Sequence, residues 1–280
     1  MIVYLNGQYL PLEEAKISVL DRGFIYGDGV YELVPVYRRR AFRLPQHLTR
    51  LQYSLDGIRL ANPQTADEWT SIIALLVARQ ACDDQGVYLQ VTRGVARRDH
   101  AFPAGTPATV FMMSNPLATP SAEQVEKGVA VVTADDNRWR RCDLKTISLV
   151  GNVLMRQLAA DAGALETVMF RDGWLTEASA SNVLVVRGGT VVAPPRDNLI
   201  LPGITCGAVY DFAKEAGMPF DVRPVNRAEA LAADEMWLTS STKEVLAVTT
   251  VDGRPFAGGV PGPAFRRMHA LFQARKAALR

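Results

Sequence analysis

Three dipeptides constrain this chain more than any other feature: Asn6-Gly7, Asp172-Gly173 and Gly188-Gly189, each set between short runs of strand-forming residues. A two-residue hairpin turn needs positive φ at both central positions, which Asn, Asp and Gly tolerate and most residues resist. The first dipeptide predicts an N-terminal hairpin from 2–5 and 8–12. The other two predict successive hairpins, 167–171 with 174–176 and 183–187 with 190–193, in an antiparallel meander. Any fold for this chain must therefore carry sheet in both halves.

Helical periodicity fills the space between. Leu48, Leu51, Leu55 and Ile58 share one stripe of 45–60, and Trp69, Ile72, Ile73, Leu76 and Val77 repeat it behind a Thr65-x-x-Glu68 capping box. Strands are expected at 87–95, 108–113, 129–133 and 236–239, and helices at 149–162, after Pro202-Gly203, at 227–233 and from 263. Helices and strands thus mix in α+β or α/β fashion. A chain of 280 residues is long enough for two domains, and the uncharged, proline-bearing stretch from Asn115 to Ala122 reads as their join. The expected division is a small α+β domain over 1–115, a linker over 116–122 and a larger domain over 123–280.

Charge excludes several classes of function. Thirty-one basic residues face 29 acidic ones with no like-charge block of five, which is not the footprint of a nucleic-acid binder. Arg38 to Arg40 read as a solvated hairpin turn. The longest apolar run, near 72–78, falls far short of the ~18 residues of a membrane span. The N-terminus has no basic leader and carries Glu13 and Glu14, so a cytoplasmic protein is expected. Cys82, Cys142 and Cys206 are isolated and read as reduced thiols. His47, His100 and His269 lie at no ligand spacing from one another or from a cysteine, so no metal site is expected. There is no Gly-x-Ser-x-Gly elbow, and Gly27 and Gly29 lack the third glycine of a dinucleotide loop.

Lysine is more informative. Only six lysines stand against 25 arginines, and one of them, Lys145, lies in the largely apolar Cys142-Asp-Leu-Lys-Thr-Ile-Ser-Leu-Val150. Strand alternation would put Asp143, Lys145 and Ile147 on one face. A lysine desolvated there becomes an amine nucleophile, although a strand-end lysine can equally reach water. Glu177 ends a hairpin strand and is followed by Ala-Ser-Ala-Ser and Asn182; a rigid carboxylate beside small residues suits a flat cationic heterocycle, and a solvated strand end is the plainer alternative. In Leu201-Pro-Gly-Ile-Thr-Cys206 a helix opening at Gly203 would aim the amides of Ile204 and Thr205 at a phosphate, or simply begin a helix.

Taken in this order, with Asp21-Arg-Gly-Phe-Ile-Tyr-Gly-Asp-Gly-Val-Tyr-Glu32 and His47-Leu-Thr-Arg50, these segments resemble the fold-type IV aminotransferases over essentially the whole chain. Arg98-Asp-His100 resembles the carboxylate trap of the D-amino-acid branch of that family. The resemblance implies a two-domain fold with pyridoxal 5'-phosphate held between the domains, and a homodimer with shared active sites. It implies Lys145 as the Schiff-base lysine and proton shuttle, and Glu177 as the partner of the pyridine nitrogen. Arg50, Ile204, Thr205 and Ser241 would bind the phosphate, and Leu201 would pack under the ring. Tyr31 would bind the substrate carboxylate with Arg98 and His100 of the neighbouring subunit. Leu33-Val-Pro35 stands where some members of the branch carry Val-x-Lys. The implied reaction is a ping-pong transamination between D-amino acids and 2-oxo acids. L-branched-chain transamination and aminodeoxychorismate-type lyase chemistry are the alternatives within the family.

Overall fold

The structure, a computed structural model, describes residues 1–279. The chain divides into two compact units, one formed by Met1–Ala118 with Leu144–Leu149 and Leu279, and the other by Thr119–Asp143 with Val150–Ala278. A division into contiguous ranges would have put Lys145 in the second unit; it packs in the first.

The first unit runs β1 (Ile2–Leu5), β2 (Gln8–Pro11), α1 (Arg22–Tyr26), β3 (Gly29–Tyr37), β4 (Arg40–Ala41), α2 (Leu44–Gly57), α3 (Ala66–Ala78), β5 (Gln85–Thr92) and β6 (Thr109–Pro116). Its strands form one antiparallel sheet in the order β2-β1-β6-β5-β3-β4. The opening hairpin has the turn its sequence demands, with Asn6 at φ 47° and Gly7 at φ 94°. Thr65 caps α3 as expected: its hydroxyl accepts from the Glu68 amide and its amide donates to the Glu68 carboxylate. Alternation along β3 sends Val30, Val34 and Val36 into a core with Leu51, Leu55, Trp69, Ile73 and Leu76. The arginine turn after β3 is not merely solvated. Arg39 donates to the carbonyls of Val77, Gln80 and Ala81 and to Asp83, tying the turn to the end of α3 and the segment that follows it.

The second unit runs α4 (Ala122–Lys127), β7 (Val129–Asp135), α5 (Val150–Asp161), β8 (Glu166–Arg171), β9 (Trp174–Ala178), β10 (Asn182–Arg187), β11 (Thr190–Ala193), α6 (Ile204–Glu215), β12 (Phe220–Val222), α7 (Arg227–Leu231), β13 (Glu235–Ser240), β14 (Glu244–Val251), β15 (Arg254–Pro255) and α8 (Pro263–Ala277). Both expected hairpins form, with Asp172, Gly173, Gly188 and Gly189 all at positive φ. The antiparallel meander does not extend through the sheet. Its order is β12-β11-β10-β13-β14-β7-β8-β9, and β7 pairs parallel with both β14 and β8, as β11 does with β12. Strand β14 escapes sequence reading because it is central: seven of its eight residues are buried, so it shows an apolar run rather than alternation. The core gathers Val131, Val168, Phe170, Val183, Val185, Met236, Leu238, Leu246 and Val248. Helix α5 differs from the others in leaving Val150, Val153, Leu154 and Leu158 exposed on one stripe.

Candidate active site

In the first unit the candidate residues collect around β3. Lys145 is not on a strand. Its segment is irregular, tied by one bridge from Thr146 to Val30, by the Lys145 amide donating to Ser54 Oγ at 3.1 Å and by the Tyr31 amide donating to the Lys145 carbonyl at 2.9 Å. The half-buried ammonium lies 4.1 Å from the centroid of the Tyr31 ring, a cation–π seat, and among the described residues no carboxylate pairs with it. Tyr31 in turn stacks on Tyr88 at 5.6 Å. Strand alternation expected Lys145 on a face with Asp143 and Ile147; the structure gives it an aromatic platform.

Arg50 points to the other face of β3. Its guanidinium forms a bidentate pair with buried Glu32, Nε to Oε1 at 2.7 Å and Nη2 to Oε2 at 2.8 Å, while His47 Nδ1 lies 2.7 Å from the same carboxylate. Burial alone would raise the Glu32 carboxyl, but the Arg50 charge and the hydrogen bonds from Arg50 and His47 outweigh it and hold Glu32 well below the usual carboxylate range. Burial pushes His47 below its ordinary value against the pull of Glu32, and its Nε2 is buried without a partner. Glu32 was not anticipated as a site residue, because within the motif it shows only as one charge in an apolar strand.

Arg98 and His100 lie in the loop after β5. Both are exposed and both pack on Tyr26, Arg98 with its guanidinium carbon 5.5 Å from the ring centroid and His100 ring to ring at 5.4 Å. Neither makes a hydrogen bond, ion pair or ring contact with Tyr31 of its own chain among the described residues.

In the second unit, Glu177, Leu201, Ile204 and Thr205 come together around Asn182. The buried Glu177 carboxylate accepts from Arg138 Nη1 at 2.5 Å, from Asn182 Nδ2 at 3.1 Å and from the Leu201 amide at 3.2 Å. Asn182 also donates to the Leu201 carbonyl at 2.9 Å, and a Cβ at Gly203 would stand only 1.8 Å from Asn182 Oδ1. The chain must therefore be glycine where it enters α6. No side chain caps α6, so its first amides, those of Ile204 and Thr205, are open to an anion. Ser241 follows β13, whose Thr239 pairs with Asn182 across the sheet and carries a buried, unpartnered hydroxyl.

Sequence reasoning missed the support behind Glu177. Arg138 is buried and held by Asp136, which also pairs with Arg171 and accepts from Thr176 Oγ1 at 3.0 Å. Burial opposes the Arg138 charge, but Asp136 and Glu177 more than compensate. The only sequence signal is the Asp-x-Arg spacing just past an apolar strand. A second missed acid, Glu166, accepts from Ser179, from the Ala180 amide and from Ser181, and pairs with Lys243, fixing the small-residue turn between β9 and β10.

This donor set suits a phosphorylated heterocycle. The second unit offers a strongly braced carboxylate, uncapped helix amides and an orphan hydroxyl, and the first offers a seated amine. Among the described residues no cluster of His, Cys, Asp or Glu is gathered as a metal would require.

Comparison with known proteins agrees. The chain is 38% identical to the D-alanine aminotransferase of Bacillus licheniformis over 98% of its own length and 96% of that protein. It is 36% identical to the D-alanine aminotransferase of Listeria monocytogenes over 97% and 95%. Among solved structures, the branched-chain amino acid aminotransferase from Thermoproteus uzoniensis with norvaline superposes with a TM-score of 0.88 at 26% identity, over 99% of this chain and 94% of that one. A further branched-chain amino acid aminotransferase, solved with pyridoxamine 5'-phosphate, superposes with a TM-score of 0.94 at 27% identity, over 100% of this chain and 95% of that one. The family described as Amino-transferase class IV matches residues 29–251. The chain belongs to the class IV aminotransferases.

Proposed function

We propose that the chain is a pyridoxal-phosphate-dependent transaminase that moves the amino group between D-amino acids and 2-oxo acids, taking D-alanine and 2-oxoglutarate to pyruvate and D-glutamate. The observation that carries this reading is Arg98-Asp-His100, on a chain 36–38% identical to D-alanine aminotransferases along almost its whole length. The likeness to branched-chain enzymes is one of fold and cofactor.

When bound, pyridoxal phosphate supplies an electron sink for the α-carbon of the amino acid. The chain supplies the rest. Lys145 Nζ is the amine that would hold the cofactor, and it would carry the α-proton of the amino acid as base and then as acid. Tyr31 keeps that amine oriented. Glu177, braced by Arg138 and Asn182, would keep the pyridine nitrogen protonated. Ile204 and Thr205 offer their amides, and Ser241 its hydroxyl, to the phosphate. Arg50, oriented by its pair with Glu32, would also bind the phosphate, and Leu201 would pack against the ring.

Arg98 and His100 bind the substrate carboxylate with Tyr31 of the neighbouring subunit. Two observations support a homodimer with shared sites: the trap residues stand off Tyr31 of their own chain, and α5 presents Val150, Val153, Leu154 and Leu158 to solvent. No helix among the described residues is long and apolar enough to cross a membrane, and the reading is of a cytoplasmic enzyme acting on small molecules.

Purified protein should carry a visible absorbance band that borohydride bleaches irreversibly, with the reduced cofactor mapping to the peptide bearing Lys145. Lys145→Ala should lose both the adduct and the activity. A reducible lysine adduct that survives in Lys145→Ala would overturn the assignment.

A further inference from the structure

We propose that Arg22 is a positioning residue that sets the conformation of the Arg98–His100 loop from beneath, through its backbone carbonyls. The inference rests on the reading of Arg98 and His100 as the carboxylate anchor.

Between β5 and β6 the chain runs from 93 to 108 without a regular element. A loop of that length has no ladder of its own to satisfy its carbonyls and needs donors from outside. Arg22, on the first turn of α1 and only 3% exposed, provides them: Nη1 donates to the Asp99 carbonyl at 2.6 Å and to the Ala101 carbonyl at 3.3 Å, and Nη2 to the His100 carbonyl at 3.5 Å. One guanidinium thus collects three consecutive carbonyls spanning His100. Its remaining edge, Nε, donates to Asp28 Oδ2 at 2.7 Å. Only a planar fork with five donors can face three carbonyls and a carboxylate at once; an ammonium cannot.

A second arginine, at the start of the same loop, holds it just past His100. Arg93 seats the Phe102 ring, its guanidinium carbon 3.7 Å from the ring centroid, and binds Asp28 through Nε at 2.8 Å and Nη2 at 3.0 Å. Asp28 is therefore the common base of both anchors. Tyr26 closes the arrangement. Its ring faces Arg22 at 4.8 Å and carries Arg98 and His100. The trap side chains are thereby presented in a fixed arrangement before a ligand arrives, and binding need not order the loop.

The test is carried out on the holoenzyme with Arg22→Lys, Phe102→Ala and Arg98→Ala. It measures kcat and KM for D-alanine and 2-oxoglutarate, and amide hydrogen exchange across 97–102. Arg22→Lys should raise KM for both substrates by about tenfold or more, keep kcat within about threefold, and speed exchange in the loop by about tenfold while leaving β3 unchanged. Phe102→Ala loosens the loop at its exposed end and should raise both KM values less.

Wild-type KM and loop exchange in Arg22→Lys would overturn the proposal, as would faster exchange without a rise in KM. Should the Arg22 variant not fold, unchanged KM in Phe102→Ala would overturn it. Arg98→Ala separates the two levels. Unchanged KM there sinks the carboxylate-anchor reading itself, whereas a raised KM there beside a silent Arg22→Lys sinks only the positioning role.

Discussion

At the scale of single residues, the chain buries charged groups with their partners in place, some in ion pairs and others, such as Asp21 and Glu235, held by neutral donors. Glu32 is 1% exposed between Arg50 and His47. Breaking a buried pair by removing one partner strands the other, at a cost of roughly 3–5 kcal/mol. Glu32→Gln should lower the urea-unfolding free energy at pH 7 by about that amount. Because the folded-state pKa of Glu32 is depressed, its contribution is fully present above the ordinary carboxylate range and is lost as pH falls toward the folded value. Wild type should therefore lose stability between about pH 5 and pH 3 more steeply than Glu32→Gln; parallel acid profiles would contradict the pairing. Burial pushes the Cys142 thiol up to about 11, so it should resist a thiol reagent at pH 8 in the folded protein. Of this layer the sequence disclosed little. Lys145, Glu177 and Arg98 stand out by rarity or motif, but what Arg138, Glu32 and Arg22 hold in place (Glu177, Arg50 with His47, and the 99–101 carbonyls) lies far from them along the chain.

At the scale of elements, the legible parts are those with local causes. The three hairpins and the Thr65 cap follow from residues adjacent to the feature they specify. The illegible parts have distant causes: the parallel placement of β7 between β14 and β8, the central strand β14, and the irregular path at Lys145 that strand alternation misread. Gly203 joins both kinds. A helix start was expected there, but the need for glycine comes from Asn182, 21 positions upstream, whose Oδ1 occupies the space of a Cβ. Gly203→Ala should destabilise the fold by roughly 1–3 kcal/mol by overpacking and move the Asn182 amide off Glu177. Thermal unfolding of the apoenzyme together with cofactor affinity checks it. A variant as stable as wild type, with unchanged affinity, would mean that Asn182 relaxes freely.

At the scale of the whole molecule, the exposed stripe of α5 and the exposed Arg98 and His100 are what the proposed homodimer rests on. Arg98→Ala and Lys145→Ala should each be nearly inactive alone. In a mixture allowed to exchange subunits, the proposed homodimer would form hybrids as half of its dimers, each with one site carrying both lesions and one carrying neither. Activity should return to about a quarter of wild type. No recovery, with hybrids seen by native mass spectrometry, would place Arg98 in its own subunit's site. The handedness of the substrate is the more direct test of the function. In the proposed reaction the face that Lys145 serves would be set by the fold, so the location of the carboxylate anchor would decide which enantiomer presents its α-proton to that amine. Stopped-flow spectra of the holoenzyme should show conversion of the aldehyde form of the cofactor to the amine form with D-alanine, at a rate at least about a hundredfold above that with L-leucine or L-alanine. Equal or faster conversion with L-leucine would contradict the account and make the chain a branched-chain enzyme.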